Sequence, residues 1–227
     1  VKLGLVLPTF DDDADEALAL ATDAEAAGLD GVFAFDHLWP IGEPERPALA
    51  PFPVLAAVAS RTERLALGPL VARIGLVGTT TLVARFATLV ALAPGRVIAA
   101  LGTGDRLSVG EEIAYGLPVL DASGRRALLA ETYDAIAALD PTIPRWCGGG
   151  GDATIDVARR HGAEVNLWRA TPERIRAASS GGPVSWSGPL GEDADATLDA
   201  LAAAGATWAV SMTPSSLSAM QDWRRTH

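Results

Sequence analysis

The feature that most constrains this chain is the regular return of a short apolar run followed by a helix-forming segment. Residues 3–7, 31–35, 65–71, 97–101, 145–147, 163–168, 184–187 and 207–212 are short runs built around apolar residues, and most end at Gly, Pro or a polar turn. Runs of this length suit strands buried on both faces. Between them lie helical segments at about 13–28, 54–61, 80–93, 123–139, 152–161, 171–180, 193–204 and 215–225. Alternation of strand and helix builds a parallel sheet, because each strand needs a crossover to return in the same direction. Eight such units predict an α/β fold, a compact (β/α)8 TIM barrel with short insertions; a doubly wound open sheet is the competing arrangement. With 227 residues, 49% hydrophobic and 20% charged, the chain suits one domain spanning residues 1–227.

Helix boundaries are suggested locally. Asp13 with Glu16 resembles a capping box, Pro53 suits a first helical turn, Thr80 and Ser123 stand where caps belong, and Pro94-Gly95 stops the third helix. Leu82, Phe86, Leu89 and Val90 recur at helical spacing and are expected to face the sheet. Glu111, Glu112 and Tyr115 fall in what is expected to be a loop.

Partners are bounded by charge and by cysteine. A formal net charge of -10 without a basic cluster opposes nucleic-acid binding, so a small-molecule partner is expected. One cysteine, Cys147, excludes an internal disulfide and a multi-cysteine zinc site, and it fits a reducing compartment. Residues 1–10 lack the pattern of a secretory leader, and Arg85, Pro94 and Arg96 interrupt the longest apolar region. A cytoplasmic location without membrane contact is therefore expected. Alanine-rich helix faces would permit a homodimer.

Ligands of parallel α/β folds bind at the carboxyl ends of the strands, and three such ends carry candidate chemistry. The fourth strand runs into Gly102-Thr103-Gly104-Asp105, where glycine lets a backbone take positive φ or a ligand come close. The same residues also suit a tight turn with Asp105 as a cap. Gly148 to Gly151 precede Asp152 at a helix start, where backbone N–H groups and the helix dipole favour phosphate; a flexible turn is the other reading. No Lys-Ser or Lys-Thr follows, against a nucleoside-triphosphate loop. His37 follows the second strand beside Asp36, where an imidazole can transfer protons, or where the two side chains can simply hydrogen-bond. Trp39, Trp168 and Trp186 fall at strand ends and can either line a slot for a planar ring or fill the core. Metal hydrolysis and serine hydrolysis are disfavoured, since no His-x-His and no Gly-x-Ser-x-Gly occurs.

Taken in order, Asp36-His37-Leu38, Leu67-Gly68-Pro69-Leu70, Ala84-Arg85-Phe86-Ala87-Thr88-Leu89, Pro94-Gly95-Arg96 and Leu101-Gly102-Thr103-Gly104 resemble the luciferase-like monooxygenase superfamily. The Asp-His-Leu segment and the Gly-Thr-Gly-acid turn look like its branch that uses the deazaflavin coenzyme F-420. The resemblance implies an oxidoreductase that passes hydride between the coenzyme and a small organic substrate. FMN is the alternative coenzyme, and a trimmed non-catalytic subunit or small-ligand binder the alternative role. By position it makes His37 and Asp105 catalytic and assigns coenzyme contacts to Asp36, Val71, Ala72, Gly104, Ser108, Gly148, Gly149, Gly151 and Asp152. The chain departs from the family in the short connections at 141–144 and 169–183.

Overall fold

The computed structural model describes residues 1–104, 108–114 and 116–227. Its elements run β1 (Lys2–Val6), α1 (Asp15–Ala26), β2 (Gly31–Ala34), α2 (Pro51–Ala59), β3 (Ala66–Pro69), β4 (Ala72–Arg73), α3 (Thr79–Leu92), β5 (Ala99–Gly102) and α4 (Val109–Ala114). They continue with α5 (Ala122–Leu139), β6 (Arg145–Gly148), α6 (Asp152–Arg160), β7 (Glu164–Trp168), α7 (Pro172–Ser179), β8 (Val184–Gly188), α8 (Ala194–Ala203), β9 (Trp208–Ser211) and α9 (Leu217–Thr226), the last entered through a 3-10 turn at Pro214–Ser216.

All ladders are parallel, in the order β3-β2-β1-β9-β8-β7-β6-β5-β4. A bridge between Leu67 and Val97 brings β3 against the start of the β5 segment, while β4 pairs with β5 itself. β3 and β4 are thus two pieces of one barrel stave, and the sheet closes through them. The single expected strand over 65–71 is divided at Leu70 and Val71, which are joined by a cis peptide bond.

Alternation along the strands sorts the core into two layers. Leu3, Leu5, Val32, Leu67, Leu101, Val165 and their neighbours face the helices, where Leu55, Phe86, Leu89, Leu129 and Ile136 cover them. The opposite parity fills the barrel with Val6, Phe33, Ile98, Trp146, Trp208 and Val210. Phe33 lies 5.2 Å from Trp146 and 5.9 Å from Trp208, ring centre to ring centre, and the two indoles are 5.5 Å apart. Space for these rings comes from glycine: a Cβ on Gly4 would stand 2.9 Å from Phe33 Cε2, and one on Gly31 would stand 3.1 Å from the Trp208 ring.

Several local expectations are corrected. Asp13 does not form a capping box; its carboxylate accepts from the Asp15 N–H at 2.7 Å, and α1 starts later, after Ala14. Gly78, not Thr80, precedes α3, and Asp121, not Ser123, caps α5 by accepting from the Gly124 N–H at 2.7 Å. At α5 the carboxylate of Asp121 takes the cap ahead of the hydroxyl two residues on. Residues 109–114, expected in a loop, form α4. Among the described residues no helix is long and apolar enough to cross a membrane.

Candidate functional site

The site grows from the carboxyl end of β2. Gly31 to Ala34 are fully buried, and continuation of the strand delivers Phe35, Asp36 and His37 to the rim. His37 Nδ1 lies 2.8 Å from Glu111 Oε1, and Glu111 Oε2 accepts from the Leu38 N–H at 2.9 Å and from Arg73 Nη1 at 2.6 Å. Glu111 comes from the first turn of α4 and Arg73 from β4, so one carboxylate ties three parts of the rim together. The side chains of Glu111 and Arg73 are 1% and 4% exposed, while that of His37 keeps 21%. Burial alone would push the Glu111 carboxyl up. Its hydrogen bonds from His37 and Leu38 and the charges of His37 and Arg73 together outweigh that penalty and hold it below the usual glutamate range. An ionised carboxylate only accepts hydrogen bonds, so Nδ1 of His37 is the donor and Nε2 carries the lone pair when the ring is neutral. No hydrogen bond to Nε2 is made among the described residues.

Asp36 and His37, adjacent in the chain, take separate partners. Asp36 Oδ2 accepts from the Arg73 N–H at 2.9 Å, and desolvation pushes its carboxyl up against the opposing charges of Arg73, Arg85 and His37. Arg73 Nη2 and Glu112 Oε2 are buried without hydrogen-bond partners; Nη2 stands 3.9 Å from Glu112 Oε1. Gly104 is close by, at φ +69°, where a Cβ would come within 3.1 Å of Ser108 Oγ and 3.2 Å of Glu112 Oε1. The Gly-Thr-Gly turn is therefore folded back against α4.

A second group forms where β4, β5 and β6 end. The Val71 side chain occupies the space above Gly102 and Gly148: a Cβ would meet it at 2.2 Å on Gly102 and at 2.8 Å on Gly148. Beyond it the glycine turn is open. A Cβ on Gly151 would meet nothing within 4 Å, and one on Gly149 only Thr154 Cγ2, at 4.0 Å. Gly151 precedes α6 without any side-chain cap, so the first N–H groups of a nine-residue helix face that opening. Arg174 from α7 adds a cation, donating to the Gly150 carbonyl at 3.3 Å and lying 3.6 Å from the Asp152 carboxylate.

On the other side of His37, a cleft of about 770 Å³ runs between the 38–50 segment, α2 and α3. Trp39, Phe52, Leu76, Val77, Leu89 and Leu92 form much of its wall, with Asp36, His37, Arg85 and Thr88 as its polar groups.

The sequence-derived residues thus divide into two groups. Asp36, His37, Gly104 and Ser108 gather around Glu111, Glu112 and Arg73, while Gly149, Gly151 and Asp152 gather at α6 with Arg174; Val71, in contact with Gly102 and Gly148, lies between. Ala72 is buried in β4 beside Leu101. Asp105 lies outside the described residues. Of the three tryptophans, Trp39 lines the cleft and Trp168 is 51% exposed, whereas Trp186 is core, its indole N–H donating to the Ala170 carbonyl at 3.0 Å. Glu111, Arg73 and Arg174 were missed by sequence reasoning. A signal was present for Arg73, since an arginine at the end of a buried strand requires a carboxylate partner.

The parallel strands close into a (β/α)8 barrel that carries an imidazole and a glycine-rich turn at the carboxyl ends of its strands. The model of the luciferase-like monooxygenase family matches residues 1–141, and the chain belongs to that family. It is 41% identical over 125 residues to an F420-dependent glucose-6-phosphate dehydrogenase of Beutenbergia cavernae, covering 55% of this chain and 36% of that protein. Its identity to the enzyme of the same name from Intrasporangium calvum is 35% over 164 residues, covering 71% and 46%. The chain therefore spans less than half the length of these curated relatives. In fold it is similar to the coenzyme F420-dependent tetrahydromethanopterin reductase of Methanopyrus kandleri, with a TM-score of 0.75 at 14% identity and 97% of each chain covered.

Proposed function

We propose that this chain is an oxidoreductase that binds the deazaflavin F420 and acts on a small organic substrate, with His37 handling the proton that accompanies hydride transfer. The observation that carries this reading is the Glu111 hydrogen bond to His37 Nδ1, with Nε2 of the partly exposed imidazole making no hydrogen bond among the described residues. The activities for which the F420-dependent relatives are named support it.

The residues fit the coenzyme. The uncapped α6 terminus and the open backbone at Gly149 and Gly151 suit an anionic tail, with Gly148 and Asp152 flanking it and Arg174 adding positive charge. Asp36, Val71, Ala72, Gly104 and Ser108 are assigned the nearer parts of the coenzyme. A bound deazaflavin supplies a two-electron hydride carrier. His37 takes the hydroxyl proton of an alcohol at Nε2, or returns it to a carbonyl, and Glu111 compensates the imidazolium charge in between. Asp105 remains a second candidate for proton transfer. The buried thiol of Cys147 accords with a cytoplasmic setting, and a homodimer remains part of the proposal.

Titration with F420 should quench tryptophan fluorescence saturably, and His37→Ala should slow turnover far more than it weakens that binding. Absence of a saturable quench at high micromolar F420 would overturn the assignment. A tighter response to FMN would move it to the flavin-dependent members of the family.

A further inference from the structure

We infer that the 770 Å³ cleft beside His37 is where the organic substrate sits, and that this substrate is a largely apolar molecule bearing one hydroxyl or carbonyl group rather than a sugar phosphate. The inference rests on the proton-handling role given to His37.

The cleft has the size of small-molecule sites, which commonly hold roughly 300–1,000 Å³. Its composition carries the argument. Trp39, Phe52, Leu76, Leu89 and Leu92 offer apolar surface, and the hydrogen-bonding groups that end β2, Asp36 and His37, form part of the same lining. Apolar walls with a few convergent polar groups orient a ligand by its single polar function. The imidazole that lines the cleft is the one whose Nδ1 is anchored by Glu111, so a hydroxyl bound here has a fixed proton acceptor within the lining.

The same walls disfavour a sugar phosphate. Among the described residues Arg85 is the one Lys or Arg of the lining, and its guanidinium lies over the Phe52 ring, 5.7 Å from the centroid. Desolvating a phosphate dianion and several hydroxyls against leucine, tryptophan and phenylalanine would leave their hydrogen bonds unmade.

The test uses the whole 227-residue chain and isothermal calorimetry, with methyl ketones from 2-hexanone to 2-decanone and glucose-6-phosphate as probes. Affinity should tighten about three- to fourfold per added methylene, as expected for burial of each CH2, with no saturable response to glucose-6-phosphate. Thr88→Trp, on the exposed face of α3, should fill the cleft and weaken ketone binding at least tenfold while the F420 titration is unchanged; Thr88→Ser should retain ketone binding. Saturable binding of glucose-6-phosphate that Thr88→Trp abolishes would overturn the inference. So would ketone affinity independent of chain length. So would a dimer that Thr88→Trp dissociates without change in ketone affinity, since the cleft would then be an interface between copies. Ketone binding that follows chain length and is lost in Thr88→Trp, in a chain that does not bind F420, would keep the cleft as the ligand site and remove the coenzyme reading instead.

Discussion

Val71 sits so close to Gly102 that a Cβ on the glycine would stand 2.2 Å from Val71 Cγ2. The contact is rigid, because a β-branched side chain has little χ1 freedom and Gly148 closes in from the other flank, where a Cβ would be 2.8 Å from Val71 Cγ1. Gly102→Ala should therefore destabilise the barrel by about 1–3 kcal/mol, the usual cost of overpacking. Combining it with Val71→Ala should recover part of the loss. Urea denaturation of both single variants and the double variant gives the coupling directly.

Replacing Glu111 by Gln strips the buried Arg73 of its charge partner. Loss of one member of such a pair costs about 3–5 kcal/mol, and the midpoint of urea unfolding should fall accordingly. Glu111→Gln with Arg73→Met should be more stable than Glu111→Gln alone, because the buried guanidinium is then no longer left without its partner.

Acid should separate the two rim carboxylates by sign. The folded Glu111 ionises below its ordinary value of 4.5, so its stabilisation is present above that value and lost as pH falls through the lowered one. The stability gap between the wild type and Glu111→Gln should narrow correspondingly. The folded Asp36 ionises above its ordinary 3.8, so the fold is favoured by its protonated form, and that advantage disappears as pH rises through the raised value. Asp36→Asn should therefore gain on the wild type between acid and neutral pH. Thermal unfolding from pH 3 to 7 resolves both trends.

Gly151→Glu places a carboxylate at the open end of α6, where a Cβ meets nothing. Stability should stay within about 0.5 kcal/mol of wild type, as for most surface changes. F420 affinity should drop at least tenfold through repulsion of the anionic tail, with Gly151→Ala as the neutral control. Equal affinity in both variants would detach this turn from the coenzyme.

The barrel was legible because its signals are local. Apolar runs such as residues 97–101 and breaks such as Pro94-Gly95 follow from chain chemistry without reference to the rest of the molecule. The placement of His37 and of the Gly148 to Gly151 turn at strand ends was legible for the same reason. Glu111 was not, because α4 has six residues, includes Gly110, and has little helical pattern of its own; tertiary contacts with Arg73 and His37 position it. The division of the third stave at Leu70 and Val71 was equally hidden, since Leu70-Val71-Ala72 continues the apolar run and Pro69 is its one sign of a break.

Phe33, Trp146 and Trp208 make the barrel's centre solid, so the strands are held from within. Neither those rings nor the Arg73–Glu111 pair draws a member from the short connections at 141–144 and 169–183. Grafting longer rim segments onto this scaffold is then a way to change what it accepts while leaving its foundation untouched.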